Sequence, residues 1–381
     1  MLVGQLVMKS YGTTSHKDEM RIALLVPTLE IGGVERVLAN LANGLHQVGA
    51  EVDLVVGRSG GGMGMVLEKE IEVFDLASDH MMSSVPRLAK YLRARKPEAM
   101  IAAMTHSSAA AVVARAMARQ KVKIIATEHN TMSRIVANSS GLKYRLMPLW
   151  SRWALNSADA IVAVSRGVAD DLSAQTRIAR NRFQVIYNPV ITDALHAEAA
   201  QTVEHPWFQL GEPPVILAVG RLDKQKDFPM LVRAFRLVRN NRPVRLMILG
   251  DGPDRSRIEQ VILDSKLVED VALPGFEHNP YRFIYRAAVF ASSSEWEGFG
   301  VAIVEALALG VPVVATDCTY GPSEILCDGK FGTLVPVGDH AAMAQALLNA
   351  LDNRIRNDSS PHLEQFTVRS VVSRYLSVVA S

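Results

Sequence analysis

Short apolar runs recur along the chain at 21–27, 51–56, 70–76, 99–103, 122–127, 160–164 and 184–187, with helical patterns between most of them. A second series begins at Val215 and continues through 245–249, 271–275, 287–291 and 311–316. Strands that are apolar throughout and alternate with helices predict parallel sheets covered on both faces. Between the series, a polar, alanine-rich stretch with Pro206, Pro213 and Pro214 breaks the alternation and reads as a linker. The expected organisation is a disordered tail over 1–20, a first α/β domain over 21–190, a linker over 191–212 and a second α/β domain over 213–360. A last helix over 361–381, with Leu363, Phe366, Val371, Tyr375 and Val378 near one face, is long enough to reach back to the first domain.

The stretch 294–310 carries the densest chemistry. It follows an apolar strand, turns through a loop with Gly298 and Gly300, and enters an apolar helix that Gly310 ends. Ligands of open α/β sheets bind at that edge, and the unpartnered N–H groups of a helix start suit a phosphate. Glu305 is the odd residue, because its neighbours from Val301 to Leu309 are otherwise all apolar. A helix apolar all round is buried, and an ionised carboxylate there needs a partner. Sugar or ribose hydroxyls would serve, with Glu297 contacting the same ligand from the loop. The alternative is a structural glutamate paired to an arginine elsewhere in the chain.

Other loops repeat the strand-loop-helix plan. Gly32 and Gly33 follow the first strand without forming a dinucleotide fingerprint or a Walker motif. Arg221 and Lys226 follow Gly220, and two cations there can neutralise a diphosphate. Thr127-Glu128-His129-Asn130 ends another strand, which makes His129 a candidate for ligand contact. The stretch 141–154 mixes Lys143, Arg145 and Arg152 with Leu142, Tyr144, Leu146, Trp150 and Trp153, as an interfacial helix would, and Pro148 interrupts it. Gly60, Gly61, Gly62 and Gly64 mark a flexible loop.

Composition narrows the classes. At 381 residues and 49% hydrophobic content the chain exceeds one ordinary core. The net charge of +2 gives no nucleic-acid signal, but residues 1–190 carry +7 and residues 191–381 carry −5. A basic first half suits an anionic membrane surface. Arg87, Lys90, Arg93, Arg95 and Lys96 form a second basic cluster there. Cys318 and Cys327 make neither a zinc pattern nor a disulfide framework, which points to a reducing cytosol. No apolar run is long enough for a membrane span, and the first 19 residues lack the parts of a signal peptide.

Taken together, Gly220-Arg221…Lys226, Gly250-Asp251-Gly252-Pro253, Glu297-Gly298-Phe299-Gly300…Glu305-Ala306 and Gly310-Val311-Pro312-Val313 resemble glycosyltransferase family 4, retaining enzymes of the GT-B fold. Gly32-Gly33-Val34-Glu35-Arg36 and Tyr320-Gly321-Pro322-Ser323-Glu324-Ile325-Leu326 look like members that build surface polysaccharide or lipid-linked oligosaccharide. The resemblance implies two Rossmann-like domains facing a cleft, the sugar nucleotide mainly on the second and the acceptor mainly on the first. Arg221 and Lys226 would hold the diphosphate, with Gly220 in their loop. Glu305 would take the ribose hydroxyls and Glu297 the transferred sugar. Backbone N–H groups of Phe299, Gly300 and Val301 would bind that sugar and the phosphate, while the loop at Gly298 lets the ligand approach. Gly32 and Gly33 would close from the other side, and His129 looks like the family's cleft histidine.

The implied reaction moves a hexose or N-acetylhexosamine, with UDP the expected nucleotide, to a glycan or a polyprenyl-diphosphate-linked acceptor. No D-x-D sequence occurs, so neither a metal nor another cofactor is expected. The implied location is cytoplasmic, peripheral on the inner face of the plasma membrane. Two other readings are an epimerase-like GT-B enzyme and a non-catalytic nucleotide-sugar binding protein. Family members often have glycine after the loop lysine, where this chain has Asp227.

Overall fold

The computed structural model describes residues 20–28, 32–58, 67–139, 141–353 and 360–381. The glycine-rich run at 60–64 and the tail expected over 1–20, apart from Met20, lie outside the described residues. The first lobe is a seven-stranded sheet of β1 (Arg21–Thr28), β2 (Glu51–Arg58), β3 (Glu72–Asp75), β4 (Ala99–Ala103), β5 (Lys123–Glu128), β6 (Ala160–Ala163) and β7 (Phe183–Val185). Its strand order is β3-β2-β1-β4-β5-β6-β7. The second lobe is a six-stranded sheet of β8 (Val215–Val219), β9 (Arg245–Leu249), β10 (Val271–Gly275), β11 (Val289–Ser292), β12 (Val313–Thr316) and β13 (Thr333–Val335), in the order β10-β9-β8-β11-β12-β13. Every pairing in both sheets is parallel. Both are therefore doubly wound α/β sheets of the Rossmann type, as the alternation of apolar runs and helices requires.

Central strands are buried on both faces. β4 and β12 are buried at every position, and β1 from Ile22 to Val26. Parallel ladders force this, because crossover helices cover each face. The Gly33–Gln47 helix packs on the first sheet, and the Val368–Ala380 helix lies across it: a side chain at Gly44 would run into Val368 and Val372.

Three elements differ from the sequence reading. The expected final helix over 361–381 is broken into Ser360–Leu363, a 3-10 turn at Glu364–Phe366 and Val368–Ala380. Thr367 makes the break by capping the last helix, its side chain accepting from the Ser370 N–H at 3.2 Å. The 141–154 stretch is two helices, Leu142–Arg145 and Met147–Ser157, and Pro148 sits in the first turn of the second, where its missing N–H costs nothing. The 191–212 stretch is packed rather than loose. It contains the Leu195–Ala200 helix, whose Ala199 carbonyl accepts from Arg286 at 3.0 Å, and Phe208, whose ring lies 5.7 Å from Phe283.

Candidate functional site

Each sheet reverses its strand order beside its first strand, between β1 and β4 and between β8 and β11. Open α/β sheets bind ligands at such points, outside the carboxyl ends of the strands. The loop after β1 leads to Gly32 and Gly33, the loop after β8 holds Gly220, Arg221 and Lys226, and the loop after β11 holds Glu297 to Gly300. The topology thus assigns three of the sequence-predicted loops to switch points.

Lys226 and Glu297 form an ion pair between the loops after β8 and β11. Ser294 donates to the same carboxylate at 2.7 Å, and Gln225 donates to the Trp296 carbonyl at 2.9 Å. Glu297 is 6% exposed. Burial works against the charge on Lys226, but the adjoining carboxylate outweighs it and holds the ammonium above its usual range. The lysine stem lies over Gly220, where a side chain would stand 3.2 Å from it. Arg221 is exposed at the same loop. Asp227, which takes the place of the family's glycine, has φ +40°, in the region that favours glycine. Its carboxylate accepts from the Met230 N–H at 3.3 Å and so caps the Phe228–Asn241 helix.

Gly300, at φ +108°, turns the chain into the Val301–Ala308 helix. The Phe299 side chain belongs to the core, its ring 5.7 Å from a tilted Tyr187 and 5.6 Å from an edge-on Phe366, so only its backbone is left for a ligand. Glu305 is 4% exposed, and burial pushes its carboxyl up against the opposing pull of Arg36 and Tyr281. Arg36 comes from the first lobe, one turn beyond Gly32 and Gly33. Its guanidinium stands 4.0 Å from Glu305 and donates to the Tyr281 hydroxyl and the His278 carbonyl, each at 3.1 Å. The alternative partner considered for Glu305 is thus present, but it reaches across from the opposite lobe and at the outer limit of an ion pair. Arg36 remains charged because Tyr281 and Glu305 together outweigh its burial.

His129 marks where the lobes touch. A side chain at Gly298 would stand 1.9 Å from the His129 carbonyl oxygen, so only glycine permits the approach. Neither ring nitrogen of His129 has a hydrogen-bond partner among the described residues, and burial pushes its pKa from 6.5 down to about 4. The imidazole is neutral at physiological pH. Burial pushes the neighbouring Glu128 the other way, from 4.5 up to about 8, against hydrogen bonds from Thr105.

These shifts set a pH profile. Folded His129 refuses a proton that the unfolded chain binds, so its contribution is lost as pH falls from about 6.5 to 4. Folded Glu128 keeps a proton that the unfolded chain releases, so its contribution is lost as pH rises toward about 8. Stability is expected to drop between pH 6.5 and 8 by about 1.4 kcal/mol per unit. Urea melts of Glu128→Gln should show a flatter limb there; an unchanged slope would mean that the carboxyl is already ionised.

Several further contacts join the lobes. Ser165 donates to the Gly298 carbonyl at 2.8 Å. Glu324 accepts from the Arg166 and Gly167 N–H groups, each at 2.9 Å, closing the start of the Arg166–Thr176 helix from the other lobe. Arg134 donates to Thr319 at 2.8 Å. Arg36, Glu128, Gln225 and Glu324 stand inside motifs already noted, but Tyr281 and Ser165 have no motif around them.

A family model described as Glycosyltransferase Family 4 matches residues 31–194, and one described as Glycosyl transferases group 1 matches residues 204–365. The chain is 32% identical over 200 residues to the N-acetylgalactosamine-N,N'-diacetylbacillosaminyl-diphospho-undecaprenol 4-alpha-N-acetylgalactosaminyltransferase of Campylobacter jejuni, covering 52% of this chain and 53% of that one. It therefore spans about half the length of that relative. It is 26% identical to the lipopolysaccharide core biosynthesis glycosyltransferase LpsE of Rhizobium meliloti, over 92% of this chain and 96% of that one. The fold matches HepE of Anabaena, solved with UDP and glucose, at a TM-score of 0.78 and 19% identity, over 95% of this chain and all of that one. Two family matches, one on each lobe, and two doubly wound parallel sheets make this chain a member of glycosyltransferase family 4, with the GT-B fold.

Proposed function

We propose that the protein transfers a hexose or N-acetylhexosamine, with retention, from a nucleotide diphosphate sugar to a glycan or polyprenyl-diphosphate-linked acceptor in bacterial surface polysaccharide synthesis. The observation that carries this reading is the Lys226–Glu297 ion pair between the loops after β8 and β11, with Glu305 on the helix that follows the second loop and Arg36 reaching to 4.0 Å from it out of the first lobe. Lys226 and Arg221 bind the diphosphate, Glu305 binds the ribose hydroxyls, and Glu297 orients the transferred sugar. The bond from the anomeric carbon to the diphosphate oxygen breaks, and its electron pair stays on the phosphate. The acceptor oxygen bonds to the same carbon from the same face, and its proton passes to the released diphosphate.

The two cations and the helix start at Gly300 stabilise the charge that grows on the leaving oxygen, with no metal or other cofactor in the reaction. Neutral His129 lends its lone pair side to the positive charge developing on the sugar. The Campylobacter relative's name specifies an undecaprenol diphosphate-linked acceptor and the Anabaena structure holds UDP, which supports the same classes here. Among the described residues no helix is long and apolar enough to cross a membrane. A peripheral place on the inner face of the plasma membrane is part of the proposal.

Thermal melts with a panel of sugar nucleotides test this reading. UDP and one UDP-sugar, at about one hundred times their Kd, should add about 2.7 kcal/mol and raise the Tm by about 3 °C. No shift with any UDP, GDP or other nucleotide sugar would remove the donor assignment.

A further inference from the structure

The first lobe contains a cavity of about 770 Å³ that the donor site does not use. That is ample for a bound organic ligand. Its walls are chiefly apolar, with Met132, Met147, Trp150 and Trp153 among them, and Glu128 is also in its lining. Glu128 is 5% exposed, and its Oε1 has no hydrogen-bond partner among the described residues. Glu128 is one residue from the interlobe contact at His129, and Asp79, His80, His106 and Asn130 also line the cavity.

The cavity shares Trp153 with an exposed apolar stripe. Leu142 and Leu146, on and just past the Leu142–Arg145 helix, and Leu149 and Trp153, four apart on the Met147–Ser157 helix, are between 46% and 69% exposed. Trp153 belongs to both the stripe and the cavity wall. Exposed Arg145 and Arg152 flank the stripe. A basic-flanked apolar stripe suits an anionic bilayer surface.

We propose that this cavity takes the hydrocarbon-bearing end of a lipid-linked acceptor, which enters from a membrane at the stripe and is hydrogen-bonded by Glu128 at the inner end. The inference rests on the glycosyltransferase reading and names its acceptor site. An acceptor so placed has its polar part beside the crevice and its chain between the methionines and tryptophans. Burial keeps the Glu128 carboxyl protonated near neutral pH, so it can donate to an acceptor oxygen at no cost in charge.

The probe is a series of alkyl β-glucosides, methyl, octyl and decyl, each below its micelle concentration, followed by the fluorescence of Trp150 and Trp153. Methyl glucoside should not bind, and affinity should rise by up to about fourfold per methylene along the series. Glu128→Ala should weaken octyl glucoside binding about tenfold, and Glu128→Gln should largely keep it. Ala109→Phe, on the cavity wall, should abolish binding while UDP still raises the melting temperature as in the unmodified protein. Leu149→Asp should reduce flotation with phosphatidylglycerol–phosphatidylcholine vesicles and leave octyl glucoside affinity unchanged. Affinity independent of chain length would overturn the proposal. So would equal loss of vesicle and octyl glucoside binding in Leu149→Asp, which would put the probe on the surface. If Ala109→Phe does not fold, Met132→Trp is the substitute; full binding in a folded, UDP-responsive variant would also overturn it. UDP stabilisation without chain-length dependence defeats the acceptor site alone, whereas absence of UDP stabilisation defeats the donor reading.

Discussion

Replacing Glu305 by alanine is expected to abolish measurable transfer and to remove most of the thermal stabilisation by UDP. A buried carboxylate that binds two ribose hydroxyls makes two charge-assisted hydrogen bonds, each worth about 1.5–3 kcal/mol, so the loss in kcat/KM is roughly 10²–10⁴-fold. Glu305 is 4% exposed on the otherwise apolar Val301–Ala308 helix. Arg36 supplies a control. If Glu305 serves only the contact with Arg36 at 4.0 Å, then Arg36→Met should reproduce the effects of Glu305→Ala, and nucleotide stabilisation should survive in both. If Glu305 holds the ribose, Glu305→Ala loses UDP stabilisation and Arg36→Met keeps it. Normal turnover by Glu305→Ala would end the donor assignment.

Lys226→Ala is expected to lower kcat by about 10²–10³-fold, the usual cost of removing one preorganised group that stabilises transition-state charge. Two effects combine. The leaving diphosphate loses a cation, and Glu297, buried beside it, loses its ion-pair partner. The second effect should also lower the melting temperature of the ligand-free protein, and Lys226→Ala combined with Glu297→Gln should recover that part without recovering turnover. Arg221→Ala should affect turnover more than donor affinity and leave the melting temperature in place, because Arg221 is exposed. Wild-type turnover in Lys226→Ala would show that the diphosphate is held elsewhere.

Much of this protein was legible in its residues. Apolar runs with helical patterns between them determined two parallel sheets, because a strand buried on both faces has no room for alternation. Gly300 and Gly310 bracket the helix that carries Glu305, and that helix runs where the sequence puts it. Lys226 and Glu297 were both singled out, although their pairing was not: they lie 71 positions apart and meet only because β8 and β11 are neighbours. Local propensity carries no information at such a distance.

The division follows from the range of the forces involved. Strand and helix identity, loop glycines and the need of a buried carboxylate for a partner depend on residues a few positions apart, so the chain alone determined them. Which partner answers that need depends on how two lobes approach each other. Arg36 reaches Glu305 and Tyr281 from the other lobe, 245 positions from the tyrosine, and Gly298 meets His129 only where the lobes touch. The cavity behind Glu128 also arises from packing, since its walls come from separate helices and strand ends. Tertiary structure alone decided these, because contact between distant residues is a property of the packed lobes and not of any stretch of chain.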